Sequence, residues 1–312
     1  MDLKDKKILV TGGNGFVGTN LKLMLDKMGL QYYAPSKKEF DLCKEDDVKK
    51  LIESYKPNIV LHLAGKIGGI GANKAEPGTF FYDNIMMGTL IMEQSRIGGV
   101  EKFVGLAAGC GYPKYLPVPY TEEDFWKDLP DENSIGYSMA KKNLIIQSWT
   151  YREQFNFNST ILLPANLYGP HDNFNLETSH VVPALIRKFI EAKENKQSSV
   201  VVWGSGKASR EFLYVEDTVK AIIDAISLNE SGPFNLGTGK ETSIKELVEV
   251  LAKELDFNCE IIWDSSKPDG QPRRFYDMTK FKNTFGYVPN TELSEGIRKT
   301  IEWYRKKQFN GK

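Results

Sequence analysis

The sequence predicts an α/β fold, in which a doubly wound parallel sheet is followed by a smaller C-terminal domain. Strands and helices alternate through the first half, and a glycine-rich turn joins the first strand to the first helix. The predicted strands are short, continuous apolar runs, which is typical of parallel strands buried on both faces. A chain of 312 residues with 41% hydrophobic residues is long enough for one large domain or two modest ones.

Composition excludes several classes of protein. The formal net charge is zero, which argues against broad electrostatic binding to nucleic acid or to an anionic membrane. The three cysteines, Cys43, Cys110 and Cys259, are scattered and match neither a disulfide framework nor a metal site. Residues 1–7 are polar, unlike a signal peptide, and no apolar run has the length of a membrane span. We therefore expect a cytoplasmic protein without nucleic-acid or membrane partners.

The first strand, residues 8–10, leads into a glycine turn and then a helix from about residue 19 to 28. Gly12, Gly15 and Gly18 have the spacing of a dinucleotide-binding turn. Glycines there permit a tight bend and close approach of the backbone to a pyrophosphate, and the helix N-terminus offers free N–H groups and a positive dipole end. The position between a strand and a helix supports this interpretation over a merely structural turn.

The second strand, residues 31–34, indicates which dinucleotide binds. An NAD-binding fold often ends this strand with an acidic residue that holds the ribose 2′-hydroxyl. Here Ser36, Lys37 and Lys38 follow instead. A hydroxyl and two ammonium groups suit a 2′-phosphate, so the sequence favours NADP(H). The alternative is that the lysines belong to a solvated loop.

A helix over residues 45–54, a strand over 57–64, a helix over 80–97 and a strand over 102–108 continue the alternation. His62, in an apolar strand, is interpreted as a packed core histidine. A glycine-rich loop, residues 65–71, follows the third strand, and Cys110 follows the fourth. Ligands of open parallel sheets lie at these carboxyl ends, so we expect both segments to face a ligand.

Tyr137 and Lys141 lie four residues apart on a predicted helix, and therefore on one face of it. A nearby ammonium group favours the phenolate and lowers the tyrosine pKa. The pair is then a usable general acid or base for a carbonyl and its alcohol. Taken alone, the spacing is common on solvated helix faces. The surrounding dinucleotide-binding fold favours the catalytic interpretation.

The second half is predicted to alternate between the sheet and the smaller domain. Residues 215–228 form a helix and 233–237 a strand; 242–255 form a helix with a capping box at Ser243 and Glu246; 260–263 form a strand and 293–307 a last helix. We assign residues 1–168 and about 212–240 to the dinucleotide-binding domain. Residues about 169–211 and 241–312 form the substrate domain, with a cleft between the two.

Five segments together resemble one family. They are the Tyr137–Lys141 pair and residues 164–174, 179–187, 201–206 and 267–270. In their order and their residues they are similar to the GDP-L-fucose synthases, which are extended short-chain dehydrogenase/reductases with a Rossmann domain. The likeness runs over nearly the whole chain.

The resemblance implies an NADPH-dependent reduction of the C4 ketone of a GDP-linked 4-keto-6-deoxy sugar, a mannose-derived hexose or a heptose, with inversion at C3 and C5. Tyr137 donates a proton to the C4 oxygen, and Lys141 holds the nicotinamide ribose and lowers the tyrosine pKa. Cys110 and His180 serve as base and acid for the inversions, because a C–H bond beside a carbonyl gives an enolate on deprotonation. The family pattern also implies a homodimer formed through helices 80–97 and 137–155.

Two sets of binding residues carry over by position. The cofactor set is Gly12, Asn14, Gly15, Phe16, Val17, Gly18, Ser36, Lys37, Lys38, Asp41, Leu42, Leu63, Ala64, Gly65, Leu106, Ala107, Ala108, Lys141, Pro164, Asn166, Leu167 and His180. The substrate set is Cys110, Asn166, Lys188, Trp203, Arg210 and Asp277. Arg210 suits a diphosphate, since a guanidinium group matches phosphate oxygens in two-pronged fashion, and Trp203 offers a flat face to a base or sugar.

One departure from the family pattern leaves the reaction open. The family places a serine or threonine, which hydrogen-bonds the keto oxygen, where this chain has Ala108. The first alternative is therefore a C4 reductase without epimerase activity on a GDP-4-keto-6-deoxyheptose. The second is a sugar-nucleotide 4-epimerase or dehydratase, and the third is a cofactor-binding protein without catalysis. Asn14 also replaces a basic residue of some members, which weakens the preference for NADP.

Overall fold

The computed structural model describes residues 3–176, 178–267 and 269–310. Met1 and Asp2 of the polar start, and Pro268 of the 267–270 motif, lie outside the described residues. In the part of the chain that the structure describes, no helix combines the length and the apolar character needed to cross a membrane.

A six-stranded parallel sheet forms the centre of the described chain, in the order β10-β5-β4-β3-β1-β2. Its strands, numbered along the chain, are β1 (Ile8–Thr11), β2 (Tyr32–Tyr33), β3 (Ile59–His62), β4 (Lys102–Leu106), β5 (Ser159–Pro164) and β10 (Phe234–Leu236). β1, β3 and β4 are buried throughout, as their continuous apolar runs predict. The predicted fold class is confirmed.

The strand order reverses between β1 and β3. The chain leaves β1 towards β2 on one side and returns to β3 on the other, where Ile8–Thr11 pair in register with Ile59–His62. In sheets of this kind the ligand crevice lies at the reversal, outside the carboxyl ends of the strands. The glycine turn after β1 and the glycine-rich loop after β3 therefore meet at one crevice.

The helices pack against the sheet and against the second core. They are α1 (Phe16–Lys27), α2 (Glu45–Tyr55), α3 (Ile70–Ala75), α4 (Pro77–Ile97), α5 (Ile135–Phe155), α6 (Val181–Glu194), α7 (Val215–Ala225), α8 (Ile244–Glu254), α9 (Thr279–Phe285) and α10 (Leu293–Asn310). The capping box of Ser243 and Glu246 is confirmed at the start of α8.

Several element ends differ from the predicted ones by two to three residues, and two of these differences lie at the crevice. α1 begins at Phe16, three residues early, because Gly15 is already extended and serves as its N-cap. β4 ends at Leu106, two residues early, because residues Gly109–Gly111 form a 3₁₀ turn. As a result, the crevice is bordered by the first turn of α1 at one strand end and by a 3₁₀ turn at another.

A second hydrophobic core packs α6, α8 and α10 around short strands. These are β6 (Asn166–Tyr168), β7 (Ser199–Trp203), β8 (Ser209–Arg210), β9 (Phe212–Tyr214), β11 (Thr242–Ser243) and β12 (Glu260–Asp264). β7 pairs in parallel with β12, β6 in parallel with β9, and β8 antiparallel with β11. Tyr276, Met278 and Phe281 pack with the first core instead, so the chain crosses the crevice again before α9.

Candidate active site

A cavity of about 1460 Å³ lies between the two cores. Its floor is made by the ends of the central strands, and its far wall by Arg210 of β8 and by residues that follow β12. A volume of this size exceeds that of most small-molecule sites. It is sufficient for a dinucleotide and a second ligand side by side.

The glycine turn lines one end of this cavity. Gly12 has φ +71°, and a Cβ there would lie 2.6 Å from the backbone nitrogen of Ala64. The start of α1 has no side-chain cap, so its free N–H groups are available to an anion. The backbone therefore forms a cradle that a side chain at Gly12 would fill, and it fits the pyrophosphate of a dinucleotide.

The segment after β2 lies at the edge of the same cavity. Ser36 and Lys37 line it, whereas Lys38 does not. The Ser36 hydroxyl donates to Glu39 Oε2 at 2.7 Å, and Lys37 Nζ lies 4.0 Å from Asp41 Oδ2. Lys37 is 74% exposed, so its ammonium group is free to turn towards a 2′-phosphate.

Tyr137 and Lys141 project from α5 into the centre of the cavity. Lys141 Nζ lies 5.9 Å from the centre of the Tyr137 ring and donates to the carbonyl oxygen of Leu106 at 3.1 Å. Burial lowers the pKa of Lys141 to about 8. The sequence predicts that Lys141 lowers the pKa of Tyr137. This is corrected by the structure, in which burial, and secondly the charge of Cys110, raise the Tyr137 pKa.

Cys110 lies in the 3₁₀ turn after β4 and reaches the same space. Burial raises the pKa of its thiol, while a hydrogen bond from Ser138 and the charges of Arg274 and Lys141 act in the opposite direction. The turn packs against α5. The thiol and the Tyr137 phenol therefore face one part of the cavity from adjacent elements.

His180 lies at the N-cap of α6, on the opposite wall. The ring is accessible from the cavity, yet protein surrounds it closely enough that desolvation lowers its pKa, and the Arg274 cation adds to this. The neutral imidazole is then the dominant form at pH 7. In this form the ring accepts a proton at one nitrogen and carries a proton on the other.

Two arginines close the far end of the cavity. Arg210 Nη1 donates to the backbone oxygens of Ser209 and Gln271, at 2.7 and 2.5 Å. Arg274 Nη2 donates to Asn166 Oδ1 at 2.8 Å. Burial, and secondly the nearby Arg274, lower the pKa of Arg210 to about 10. Two guanidinium groups near enough for one to lower the pKa of the other indicate a site for a multiply charged anion.

Three residues of the predicted substrate set do not line this cavity. Asp277 turns away, and its Oδ1 accepts a hydrogen bond from the backbone nitrogen of Thr279 at 2.7 Å, near the start of α9. Lys188 lines a separate pocket of about 770 Å³, with its Nζ 5.1 Å from the ring centre of Trp203. Trp203 is 59% exposed on β7. These three residues lie outside this cavity, and their role in substrate binding stays a prediction.

Sequence reasoning missed Arg274, Asp269 and Tyr276, which line the cavity. Asp269 lies within the 267–270 motif, and Arg274 and Tyr276 follow within the next six residues, so the motif is the available signal. The motif marks the segment, but nothing in the sequence distinguishes these residues from Asp277. The hydrogen bond from Arg274 to Asn166 joins residues 108 positions apart and has no local sequence signature.

The region around Ala108 carries no side-chain hydroxyl of its own. Ala108 lines the cavity in extended conformation. A Cβ at Gly109 would overlap the Tyr276 hydroxyl, which lies 3.4 Å from the backbone oxygen of Pro164, a suitable acceptor. Among the described residues, no group of histidine, cysteine and carboxylate side chains could hold a metal ion.

Comparison with known proteins agrees with this geometry. Residues 8–237 match the NAD dependent epimerase/dehydratase family. A probable GDP-L-fucose synthase 1 from Oryza sativa subsp. japonica is 37% identical over 96% of this chain and 92% of its own. A GDP-L-fucose synthetase from Naegleria fowleri bound to NADP superposes with a TM-score of 0.88 at 29% identity, covering 98% and 96% of the two chains. A GDP-mannoheptose C4 reductase from Campylobacter jejuni with NADP bound superposes with a TM-score of 0.88 at 27% identity, covering 98% and 99% of the two chains.

Proposed function

Since the chain belongs to the NAD dependent epimerase/dehydratase family and, within it, to the GDP-L-fucose synthases, we propose that it reduces the C4 ketone of a GDP-linked 4-keto-6-deoxy sugar with NADPH and inverts C3 and C5. It is an NADP-dependent oxidoreductase. The observation that carries the proposal is that Tyr137, Lys141, Cys110 and His180 share one cavity with the glycine turn.

The cofactor fits the residues present, because the glycine cradle takes a pyrophosphate and Lys37 lies where a 2′-phosphate is expected. When bound, NADPH supplies the hydride for C4. Tyr137 donates its proton to the C4 oxygen, and its raised pKa keeps the phenol protonated at neutral pH, the form that can donate. Lys141 provides the positive charge beside it.

Inversion beside the ketone needs a base on one face of the sugar and an acid on the other. Cys110, from the turn after β4, and His180, from the start of α6, approach the cavity from different walls. The Arg210 and Arg274 guanidinium groups are suited to the diphosphate. These positions support an epimerase-reductase that works on a nucleotide sugar.

Ala108 favours a second candidate, a C4 reductase that leaves C3 and C5 unchanged. The enolate of an epimerisation places a full negative charge on the keto oxygen, and loss of one donor to such an oxygen costs about 3–4 kcal/mol. The Campylobacter jejuni structure similar to this chain is itself a C4 reductase of a GDP-heptose.

NMR of the product made from GDP-4-keto-6-deoxymannose with NADPH in D₂O tests both candidates. Deuterium at C3 and C5, with one NADPH consumed for each product, supports the epimerase-reductase. Reduction without deuterium at either carbon supports the C4 reductase. Turnover without net consumption of NADPH would contradict both and favour a 4-epimerase or dehydratase.

The assembly and the location are parts of the same proposal. We propose a cytoplasmic homodimer formed through α4 and α5, which pack closely together. Their outer faces expose Tyr82, Ile97, Met139 and Ile146, each more than a third exposed, and apolar groups of this kind favour a subunit interface. Sedimentation of the wild type and of Ile146→Glu checks this, since the variant should sediment as a monomer.

A further inference from the structure

We propose that Ser138 is a positioning residue that holds the Cys110 side chain and sets its readiness to take a proton from the carbon beside the ketone. The inference rests on the proposed function of this cavity and assigns a role to a residue next to Tyr137 that does not itself reach the ligand. Ser138 is fully buried.

The contact is short and local. Ser138 Oγ lies 3.3 Å from Cys110 Sγ and 3.0 Å from the backbone oxygen of Cys110. Among the side-chain hydrogen bonds of the described residues, the bond from Ser138 is the one that reaches Cys110 Sγ. Because Ser138 follows Tyr137 directly on α5, the same helix turn that aims the phenol also fixes the thiol.

A serine hydroxyl has one proton to donate and two lone pairs to accept with. When Cys110 is a neutral thiol, Ser138 donates to the Cys110 backbone oxygen and can accept from the S–H group. When Cys110 is a thiolate, the hydroxyl rotates to donate to the sulfur. Ser138 therefore stabilises both forms, and it stabilises the thiolate more because a hydrogen bond to a charged group is stronger.

Other groups around the thiol act on its charge from two sides. Lys141 and Tyr137 face it from α5, and Arg274 and Tyr276 face it from the segment before α9. The two cations favour the thiolate, while burial opposes it. Ser138 is uncharged, and it acts through a hydrogen bond to the sulfur.

The proton balance of the step closes through exchange with solvent. The Cys110 thiolate takes a proton from the carbon beside the ketone, and the C–H electron pair moves onto the carbonyl oxygen as an enolate. His180 in its protonated form gives a proton to the opposite face of that carbon. The enolate electrons form the new C–H bond and the carbonyl is restored. The thiol then gives its proton to solvent, and His180 takes one from solvent. Ser134 Oγ, which lies 3.4 Å from Ser138 Oγ and lines the cavity, offers a route outward.

Alkylation of Cys110 by iodoacetamide as a function of pH tests the contact without any substrate. The protein carries Cys43→Ser and Cys259→Ser, so that Cys110 is the thiol that reacts. Ser138→Ala should raise the thiol pKa by about one unit. The alkylation rate at pH 8 should then fall about three- to tenfold, the smaller figure because a more basic thiolate is more nucleophilic.

Ser148→Ala is the matched control. Ser148 lies on the same helix, is equally buried, and its Oγ lies 2.7 Å from Ser159 Oγ, away from the cavity. It should leave the alkylation profile of Cys110 unchanged. A Ser138→Ala profile that coincides with that of the parent protein would overturn the inference, as would an equal change in Ser148→Ala.

Deuterium incorporation at C3 and C5 links the contact to the reaction. Its pH profile should move upward by about one unit in Ser138→Ala, whereas the KM for NADPH should stay the same. If the wild type incorporates no deuterium, the proposed epimerisation fails. The alkylation profile still decides, on its own, whether Ser138 controls the thiol.

Discussion

Replacing Lys141 by methionine should make the protein more stable at neutral pH and remove its activity. Burial lowers the pKa of Lys141 from its ordinary 10.5 to about 8, and the side chain is 7% exposed. At about 1.4 kcal/mol per pH unit, keeping this ammonium charged costs about 3 kcal/mol of folding free energy below pH 8. Methionine removes that cost, and the net gain is smaller because the Leu106 carbonyl oxygen loses its donor.

The pH dependence of the free energy of unfolding separates the effect of the Lys141 charge from the effect of side-chain packing. Between pH 8 and 10.5 the unfolded chain binds more protons at Lys141 than the native protein does, so the stability of the lysine form rises with pH. The advantage of Lys141→Met should therefore shrink by about 2.5 kcal/mol between pH 7 and pH 10. Reductase turnover should fall by about 10²- to 10⁴-fold at every pH.

Urea unfolding without cofactor, followed by circular dichroism at pH 7, 8, 9 and 10, measures the difference. Both proteins carry Cys110→Ser, so that the thiol does not contribute to the titration. Lys142→Met is the control for activity, since Lys142 is also buried but donates to the backbone oxygen of Phe125, outside the cavity; it should keep its turnover. A stability difference between Lys141→Met and its parent that does not change with pH would refute the reasoning.

Three further predictions concern the ligands. Ala108→Ser should raise kcat for C4 reduction about tenfold, because an added hydrogen bond to the developing oxyanion contributes more than 1 kcal/mol; steady-state kinetics that show an unchanged or lower kcat would mean that another donor already serves this oxygen. Lys37→Glu should raise the KM for NADPH at least tenfold and leave that for NADH nearly unchanged, and equal use of both cofactors by both proteins would contradict the assigned 2′-phosphate site. Arg210→Lys should raise the KM for the GDP-sugar about tenfold with kcat retained, because an ammonium group cannot replace a two-pronged fork; calorimetric binding of GDP alone should weaken equally.

The fold was predictable because its signals are local. A buried parallel strand is a short apolar run, and the turn between β1 and α1 carries three glycines at fixed spacing. His62 was interpreted as a core residue, and the structure confirms it: the ring is 1% exposed and lies 2.8 Å from the Thr11 hydroxyl. Element ends were less predictable, because the end of β4 depends on how the turn at Gly109 packs.

The site was predictable only in part, because much of it depends on contacts between distant segments. Tyr137, Lys141 and Cys110 sit on elements whose ends meet at the crevice, so their positions follow from the topology. Arg274 does not, since its place depends on a hydrogen bond to Asn166 across the crevice. The pKa of Tyr137 was predicted with the wrong sign, because the sequence shows a neighbouring cation and does not show the depth of burial.

Positions 108 and 109 differ in whether the backbone and its neighbours can accept a larger side chain. Ala108 has φ −148° and ψ 136°, a conformation open to any residue, so a serine there can be restored without moving the backbone. Gly109 cannot receive a side chain, because a Cβ would overlap the Tyr276 hydroxyl and lie 3.2 Å from the ring carbon that bears it. Tyr276 is itself packed into the first core beside the Cys110 turn. The polar group next to the turn is thus supplied by a distant segment. A hydroxyl side chain introduced into this turn is therefore accommodated at residue 108 and not at residue 109.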